Sequence, residues 1–161
     1  MELEFDVKMT TSALYDYNMH HSYTSAQGLI GSAVGALLLV GYSMNLSYPV
    51  MLVAGLLILL YNPVTLFTRS KKNIALNPAF KNPIHYKMDD EGVTVTIGDE
   101  SMTVEWTSMY KAYSTNQSIV LATSKANGWI FPKKDLGEKK AAVIAAISTH
   151  MPPNKVKIRG N

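Results

Sequence analysis

Cysteine is absent from the 161 residues of this chain. That absence excludes a disulfide framework, and it excludes zinc and iron–sulfur sites that use thiolate ligands. Charge is absent from one long stretch, because no Asp, Glu, Lys or Arg occurs between Tyr17 and Thr68. All the charged residues lie in the two flanks, which is the distribution of a membrane segment with water-exposed ends.

Familiar catalytic motifs are missing as well. The sequence has no G-x-S-x-G nucleophile motif and no G-x-G-x-x-G or Walker loop for phosphate. Asp16 and His20 are spaced i and i+4, which could place two metal ligands on one helix face. A metal site needs three or four ligands, however. This pattern favours a helix at a membrane interface, with its ring side chains among the headgroups. We therefore predict a protein that is not an enzyme and has no cofactor and no metal.

The uncharged stretch predicts two membrane-spanning helices, because about 20 residues cover the hydrocarbon core. The predicted hairpin occupies residues 24–68, with helices over about 24–42 and 48–67 and a short loop at Ser43–Ser47. Pro49 suits the first turn of the second helix. The alternative, two buried helices of a soluble fold, would need a much larger protein around them.

Small residues mark one face of the first predicted helix: Gly28, Gly31, Ser32 and Gly35. Such residues let a second backbone approach closely. We expect them to pack against the second helix of the hairpin, although a dimerisation face is the alternative, and the oligomeric state stays open.

Positive residues predict the orientation. Arg69, Lys71 and Lys72 follow the second helix, whereas the loop between the helices has no basic residue. Basic residues favour the cytoplasmic side. Both termini are therefore expected in the cytoplasm, with residues 69–83 as a juxtamembrane linker.

The flanks alternate between apolar and polar residues, which is typical of strands. Residues 1–10 predict a first strand, residues 11–23 an interfacial helix capped by Thr10 or Thr11, and residues 84–151 six further strands with a final helix. Asp135 is the expected N-cap of that helix, with Glu138 completing a capping box. Residues 152–161 form a basic tail. The predicted fold class is an α+β membrane protein, in which the hairpin is inserted into a seven-stranded antiparallel sandwich with one C-terminal helix.

Seven short strands followed by one helix resemble the pleckstrin-homology-like (PH-like) sandwich. Several strings also resemble the YcxB-like family of bacterial membrane proteins: "YDYNMHHSYTSAQGLIGSAVG", "NPVTLFTRSKK", "NPAFKNPIHYKMDDEGV" and "WIFPKKDL". The resemblance covers the chain to about His150. It implies two membrane helices, a PH-like cytoplasmic domain and a place in the bacterial cytoplasmic membrane, and it supplies no catalytic residues.

The basic residues are the best indication of a partner. Arg69, Lys71, Lys72, Lys133 and Lys134 are candidates to contact the anionic inner leaflet or a protein partner. The alternative is that the basic residues serve only orientation and solubility. Nucleic acid is not expected, because aromatic residues are not interleaved with the charges.

The sequence thus predicts a membrane-anchored adaptor or regulatory protein whose cytoplasmic domain binds membrane lipid or an unidentified protein partner. The alternative function is an immunity or resistance protein that neutralises a toxin at the membrane, in which case the hairpin would be the active element.

Overall fold

The computed structural model describes residues 2–44, 48–125 and 127–158. Two long helices project from a domain built of two sheets. The helices are α1 (Thr11–Tyr23), α2 (Ala26–Met44), α3 (Pro49–Leu76), α4 (Lys133–Leu136) and α5 (Lys140–His150). The strands are β1 (Leu3–Val7), β2 (Ile84–Met88), β3 (Gly92–Ile97), β4 (Glu100–Glu105), β5 (Lys111–Ser114), β6 (Ser118–Ala122), β7 (Gly128–Pro132) and β8 (Val156–Lys157).

The first sheet joins segments from both sides of the helical hairpin. Its strand order is β1-β2-β3-β4, and all its pairs are antiparallel. Leu3 lies opposite Met88 and Val7 opposite Ile84. The apolar residues of β1 alternate, so pairing in this register turns Phe5 and Val7 into the core. The prediction that the first strand belongs to the sheet beyond the hairpin is confirmed.

The second sheet has the order β7-β6-β5-β8. Its last strand is parallel to β5, with Val156 opposite Ala112. The described residues form eight strands, one more than the seven antiparallel strands predicted. The additional strand comes from the predicted basic tail and pairs in parallel at the edge of the sheet. Val156 packs against the core, which gives this short strand a reason to pair.

The two sheets face each other across one core. Phe5 and Tyr86 of the first sheet meet the ring of Phe131 of the second, with ring centroids 5.3 and 4.9 Å apart. Val143 and Ile147 of α5 belong to the same core and are fully buried. The C-terminal helix therefore packs on the sandwich as its apolar face predicts.

The predicted start of that helix is wrong. Asp135 does not cap it, because its carboxylate accepts a hydrogen bond from the backbone N–H of Lys8, at 3.0 Å. The segment begins as α4, turns through Gly137, whose φ is +49°, and continues as α5 only from Lys140. Positive φ suits glycine, which has no Cβ. Glu138 lies in this turn and forms no capping box.

Helices α2 and α3 are both long enough and apolar enough to cross a membrane. Only 11% of the apolar stretch of α2 and 6% of that of α3 is buried within the molecule. Large apolar side chains such as Leu37, Val50 and Leu57 face outward, each at least 65% exposed. Helices α2 and α3 are therefore not the buried core helices of a globular fold.

The second long helix ends later than predicted. It continues past the expected end at Phe67 to Leu76, through Arg69, Lys71 and Lys72. At about 1.5 Å per residue, 28 residues extend roughly 42 Å, which exceeds the hydrocarbon core of a bilayer. The predicted linker is therefore helical over its first half. The predicted loop at Ser43–Ser47 falls mainly on residues 45–47, outside the described residues.

Candidate functional site

Helix α1 lies on the outer face of the second sheet. Thr10 begins it, because the Thr10 hydroxyl oxygen accepts a hydrogen bond from the Ala13 N–H at 3.2 Å. Tyr17 packs against a small cluster on that face, formed by Tyr113, Val120 and Ala122. Every residue of β6 is therefore buried, since the core covers one face of the strand and α1 helps to cover the other. The half-buried Tyr17 ring therefore packs on the second sheet.

The same helix also contacts α3. Asn18 donates a hydrogen bond to the buried hydroxyl of Ser70 at 2.9 Å, and Asn62 donates to the Ser22 hydroxyl at 2.7 Å. The ring of Tyr15 meets that of Phe67 edge to face, with centroids 5.6 Å apart. Helix α1 therefore lies between the sandwich and the long helices: it contacts the second sheet on one side and α3 on the other.

A groove of about 1,100 Å³ lies between α1 and the β5–β8 edge of the second sheet. Its basic residues come from three separate parts of the chain. They are Lys111 of β5, Lys133 of α4, Lys157 of β8, and Lys155 in the turn immediately before β8. One carboxylate, that of Asp16, lines the groove with them and accepts a hydrogen bond from the Gln117 N–H. The groove, called the lysine groove below, is strongly positive.

Two of these lysines are held in place by backbone carbonyls. The Lys133 ammonium donates to the carbonyl oxygens of Thr115 and Asn116, at 2.9 and 3.2 Å. The Lys155 ammonium donates to the Met109 carbonyl oxygen at 3.0 Å. An ammonium group has three N–H donors, so each of these retains at least one donor beyond these bonds. Two of the four positive charges are thus held in place by backbone carbonyls.

Aromatic groups form the wall of the lysine groove beside α1. The His20 ring stacks on the Tyr113 ring with centroids 5.0 Å apart, and the Lys111 ammonium lies 4.8 Å from the centre of the same ring. Burial lowers the pKa of His20, and nearby Lys111 adds to the effect while Asp16 opposes it. Burial also raises the pKa of Tyr113 to about 12. At neutral pH both rings are therefore uncharged, and the lysines carry the positive charge.

The predicted basic contacts do not form one site. Lys133 lines the lysine groove, but its neighbour Lys134 is exposed and is not among the lining residues. Arg69, Lys71 and Lys72 are exposed on the last turns of α3, also outside the groove. Sequence reasoning missed Lys111 as a site residue and left Lys155 and Lys157 in a tail. Strand β8 has only two residues, too few for a periodic signal, so no sequence pattern indicated these positions.

The predicted packing glycines have different roles. Gly35 makes the close approach to α3, where a Cβ on Gly35 would lie 2.7 Å from Cγ of Leu59. Gly28 packs against the carbonyl of Ser22 at the end of α1. Ser32 donates to the Gly28 carbonyl within its own helix. A Cβ on Gly31 would meet nothing within 4 Å, so the expectation that Gly31 packs against the second helix is wrong.

Gly31 instead lines a cavity of about 510 Å³ between α2, α3 and the end of α1, called the hairpin cavity below. Leu57, Ile58 and Leu59 supply part of its apolar wall. Polar residues line it where α1 meets α2. They are Ser22, Ser25, Gln27 and, from α3, Asn62.

Among the residues that the structure describes, no group of three His, Asp or Glu side chains could hold a metal ion. His20 and His21 are used in ring stacking, with Tyr113 and Tyr17 respectively. The lysine groove and the hairpin cavity are candidate binding surfaces.

Comparison with protein-family models gives a match. The family model of the YcxB-like protein matches residues 89–150, from the turn after β2 to the end of α5. No curated protein and no solved structure matches the chain. The matched region contains Lys111 and Lys133 of the lysine groove and excludes both long helices.

Proposed function

We propose that this chain, whose residues 89–150 match the YcxB-like family model, is a membrane-anchored, non-enzymatic adaptor or regulatory protein of the bacterial cytoplasmic membrane. Helices α2 and α3 cross the bilayer as a hairpin. The two-sheet domain lies in the cytoplasm and contacts the anionic inner leaflet.

The observation that carries this proposal is the outward-facing apolar surface of the two long helices. The sandwich has its own buried core, so it does not need these side chains for stability. Exposed Leu37, Val50 and Leu57 would be costly in water, because burial of each such side chain is worth about 1.5–3 kcal/mol. Lipid removes that cost for all of them together.

Strand pairing supports the placement of both termini on one side. Strand β1 precedes the hairpin and β2 follows it, yet the two strands pair along their full length. A chain that crosses the bilayer twice returns to its starting side, which allows this pairing. Arg69, Lys71 and Lys72 support the cytoplasm as that side, because basic residues favour it.

The arrangement of strands supports a PH-like sandwich. Four antiparallel strands form one sheet, β5, β6 and β7 form the antiparallel part of the other, and α5 follows. We assign β8 as an addition to that plan, at the edge that borders the lysine groove.

Contact with the inner leaflet is supported by the position of the basic residues. Helix α1 ends at Tyr23 and α2 begins at Ala26, so the lysine groove beside α1 lies next to the point where the chain would enter the membrane. Each basic residue close to an anionic leaflet is worth about 1 kcal/mol.

The absence of cysteine allows a direct test of this placement. Single cysteines are introduced by Glu2→Cys, Ser43→Cys and Lys125→Cys in the full chain and labelled in intact cells with a membrane-impermeant maleimide. We expect Ser43→Cys to react in intact cells, and the other two to react only after permeabilisation. Labelling of Glu2→Cys and Lys125→Cys on opposite sides, or recovery of the chain in the soluble fraction, would overturn the proposal.

A further inference from the structure

The hairpin cavity and the lysine groove adjoin. Tyr23, the last residue of α1, lines both of them. Their volumes of about 510 and 1,100 Å³ are near the range of small-ligand sites, about 300–1,000 Å³. One ligand could therefore extend from one cavity into the other around the junction of α1 and α2.

The chemistry of the two cavities differs in a way that suits an amphiphile. The hairpin cavity presents Leu57, Ile58 and Leu59. Gly31 also faces open space, because a Cβ at this position would have no atom within 4 Å. The lysine groove presents four lysines and one carboxylate. Such a pairing favours a ligand with an apolar chain at one end and a negative group at the other.

The residues between the cavities are polar. Ser22, Ser25 and Gln27 line the hairpin cavity at the α1–α2 junction, and Thr24 lines the lysine groove. In the proposed topology this junction lies at the depth where the glycerol and ester groups of a phospholipid are found. The order from apolar to polar to positive therefore follows the order of groups along a phospholipid.

We propose that the two cavities together bind one anionic glycerophospholipid of the inner leaflet, with an acyl chain in the hairpin cavity and the phosphate in the lysine groove. This inference rests on the membrane placement proposed above. The bound lipid would contact α1, α2, α3 and β8, and so would hold the sandwich in a fixed position on the hairpin.

The test uses the full chain, purified in a mild detergent and reconstituted in nanodiscs of phosphatidylcholine with increasing phosphatidylglycerol. Native mass spectrometry counts the lipids retained by each chain. We expect one phosphatidylglycerol to be retained in preference to phosphatidylcholine. The double variant Lys111→Gln/Lys157→Gln should weaken that retention about 30-fold, because two basic contacts are lost.

Two matched controls separate this site from general charge attraction. Lys71→Gln/Lys72→Gln removes the same charge from the exposed end of α3, and it should leave retention almost unchanged because neither lysine lines the lysine groove. Gly31→Leu fills the hairpin cavity without altering any charge, and it should reduce retention as strongly as the lysine variant, whereas Gly31→Ala should retain the lipid.

Glycerol phosphate distinguishes a lipid from a free phosphate. Added in excess, it should not displace phosphatidylglycerol, because it lacks the acyl chain. Displacement by glycerol phosphate, or full retention in Gly31→Leu, would overturn the two-cavity site. A chain that labels with the proposed topology but retains both lipids equally would overturn this inference alone and leave the membrane placement standing.

Discussion

At the scale of single residues, glycine shows how one residue type serves three different purposes in one helix. Gly28 packs against the end of α1, Gly35 packs against α3, and Gly31 lines a cavity. Sequence reasoning grouped all three as packing residues, because spacing alone cannot tell which neighbour lies opposite each position. The difference appears only when α1 is placed against the start of α2.

Alanine at Gly28 and at Gly31 should therefore have opposite effects. A Cβ on Gly28 would collide with the Ser22 carbonyl, a backbone group that cannot move aside, so Gly28→Ala should destabilise the fold by about 1–3 kcal/mol. Gly31→Ala should be neutral or stabilising by up to about 1 kcal/mol, because alanine favours helix and the space is open. Thermal unfolding of both variants in the same detergent measures the difference. Equal losses would contradict this account.

His20 predicts a dependence of stability on pH. Its pKa in the folded chain is lowered chiefly by burial; Lys111 and His21 add to the lowering, and Asp16 opposes it. As the pH falls below about 6.5, the unfolded chain therefore binds a proton before the folded chain does, and stability decreases. The free energy of unfolding of the His20→Gln variant should therefore fall less between pH 7 and pH 5 than that of the parent chain.

Denaturant unfolding at several pH values measures this effect. His21→Gln is the matched control, because His21 is exposed and lies one position away. The His20→Gln variant is expected to show a flatter pH profile than both the parent chain and His21→Gln. Parallel profiles for all three would show that the His20–Tyr113 contact does not respond to protonation.

At the scale of elements, α1 has the most unexpected role. The sequence predicts a helix over residues 11–23 with a cap at Thr10 or Thr11, and the structure has the helix at Thr11–Tyr23 with Thr10 as its cap. Its packing could not be predicted, because its apolar and polar residues do not separate into two faces. Instead α1 contacts the second sheet through Tyr17 and α3 through Asn18 and Ser22.

Asn18 and Ser70 should therefore be energetically coupled. Ser70 is fully buried and its hydroxyl accepts from Asn18 at 2.9 Å. A double-mutant cycle with Asn18→Ala and Ser70→Ala should give a coupling free energy of about 0.5–1.5 kcal/mol. The exposed hydroxyl pair of Thr94 and Thr103, at 2.7 Å on the first sheet, is the control, and its coupling should be smaller. Additive effects at Asn18 and Ser70 would mean that α1 is not fixed to α3 by this bond.

The strands were more predictable than the sites. Strict alternation located β1, β2 and β3, and pairing in the first sheet follows from it. Strand β8 has two residues and pairs in parallel at an edge, so it has too few positions for a periodic signal. The lysine groove was missed for a related reason. Its residues come from α1, β5, α4 and β8, and only the tertiary fold brings them together.

At the scale of the whole molecule, β1 connects the sandwich to the hairpin. Phe5 is 4% exposed and contacts the rings of both Tyr86 and Phe131. Phe5→Ala should destabilise the two-sheet domain by about 3–5 kcal/mol, although 79 positions separate Phe5 from Ile84. Limited proteolysis of the full chain, followed at sites within residues 84–150, measures the loss.

Met102→Ala is the control for that experiment. Met102 belongs to the edge strand β4 and is 55% exposed, so its removal should change stability by less than about 0.5 kcal/mol. Protection from proteolysis that is equal in Phe5→Ala and in Met102→Ala would show that the domain folds without β1.

The pairing of β1 with β2 also fixes an order of events during synthesis. Val7 leaves the ribosome 77 positions ahead of Ile84, which corresponds to about 4–15 seconds at ordinary elongation rates. In the proposed topology the nascent hairpin enters the bilayer within that interval, while the apolar face of Leu3, Phe5 and Val7 has no partner. In that topology β1 therefore stays unpaired until β2 has been synthesised, and its apolar face is open to cytoplasmic chaperones for that time.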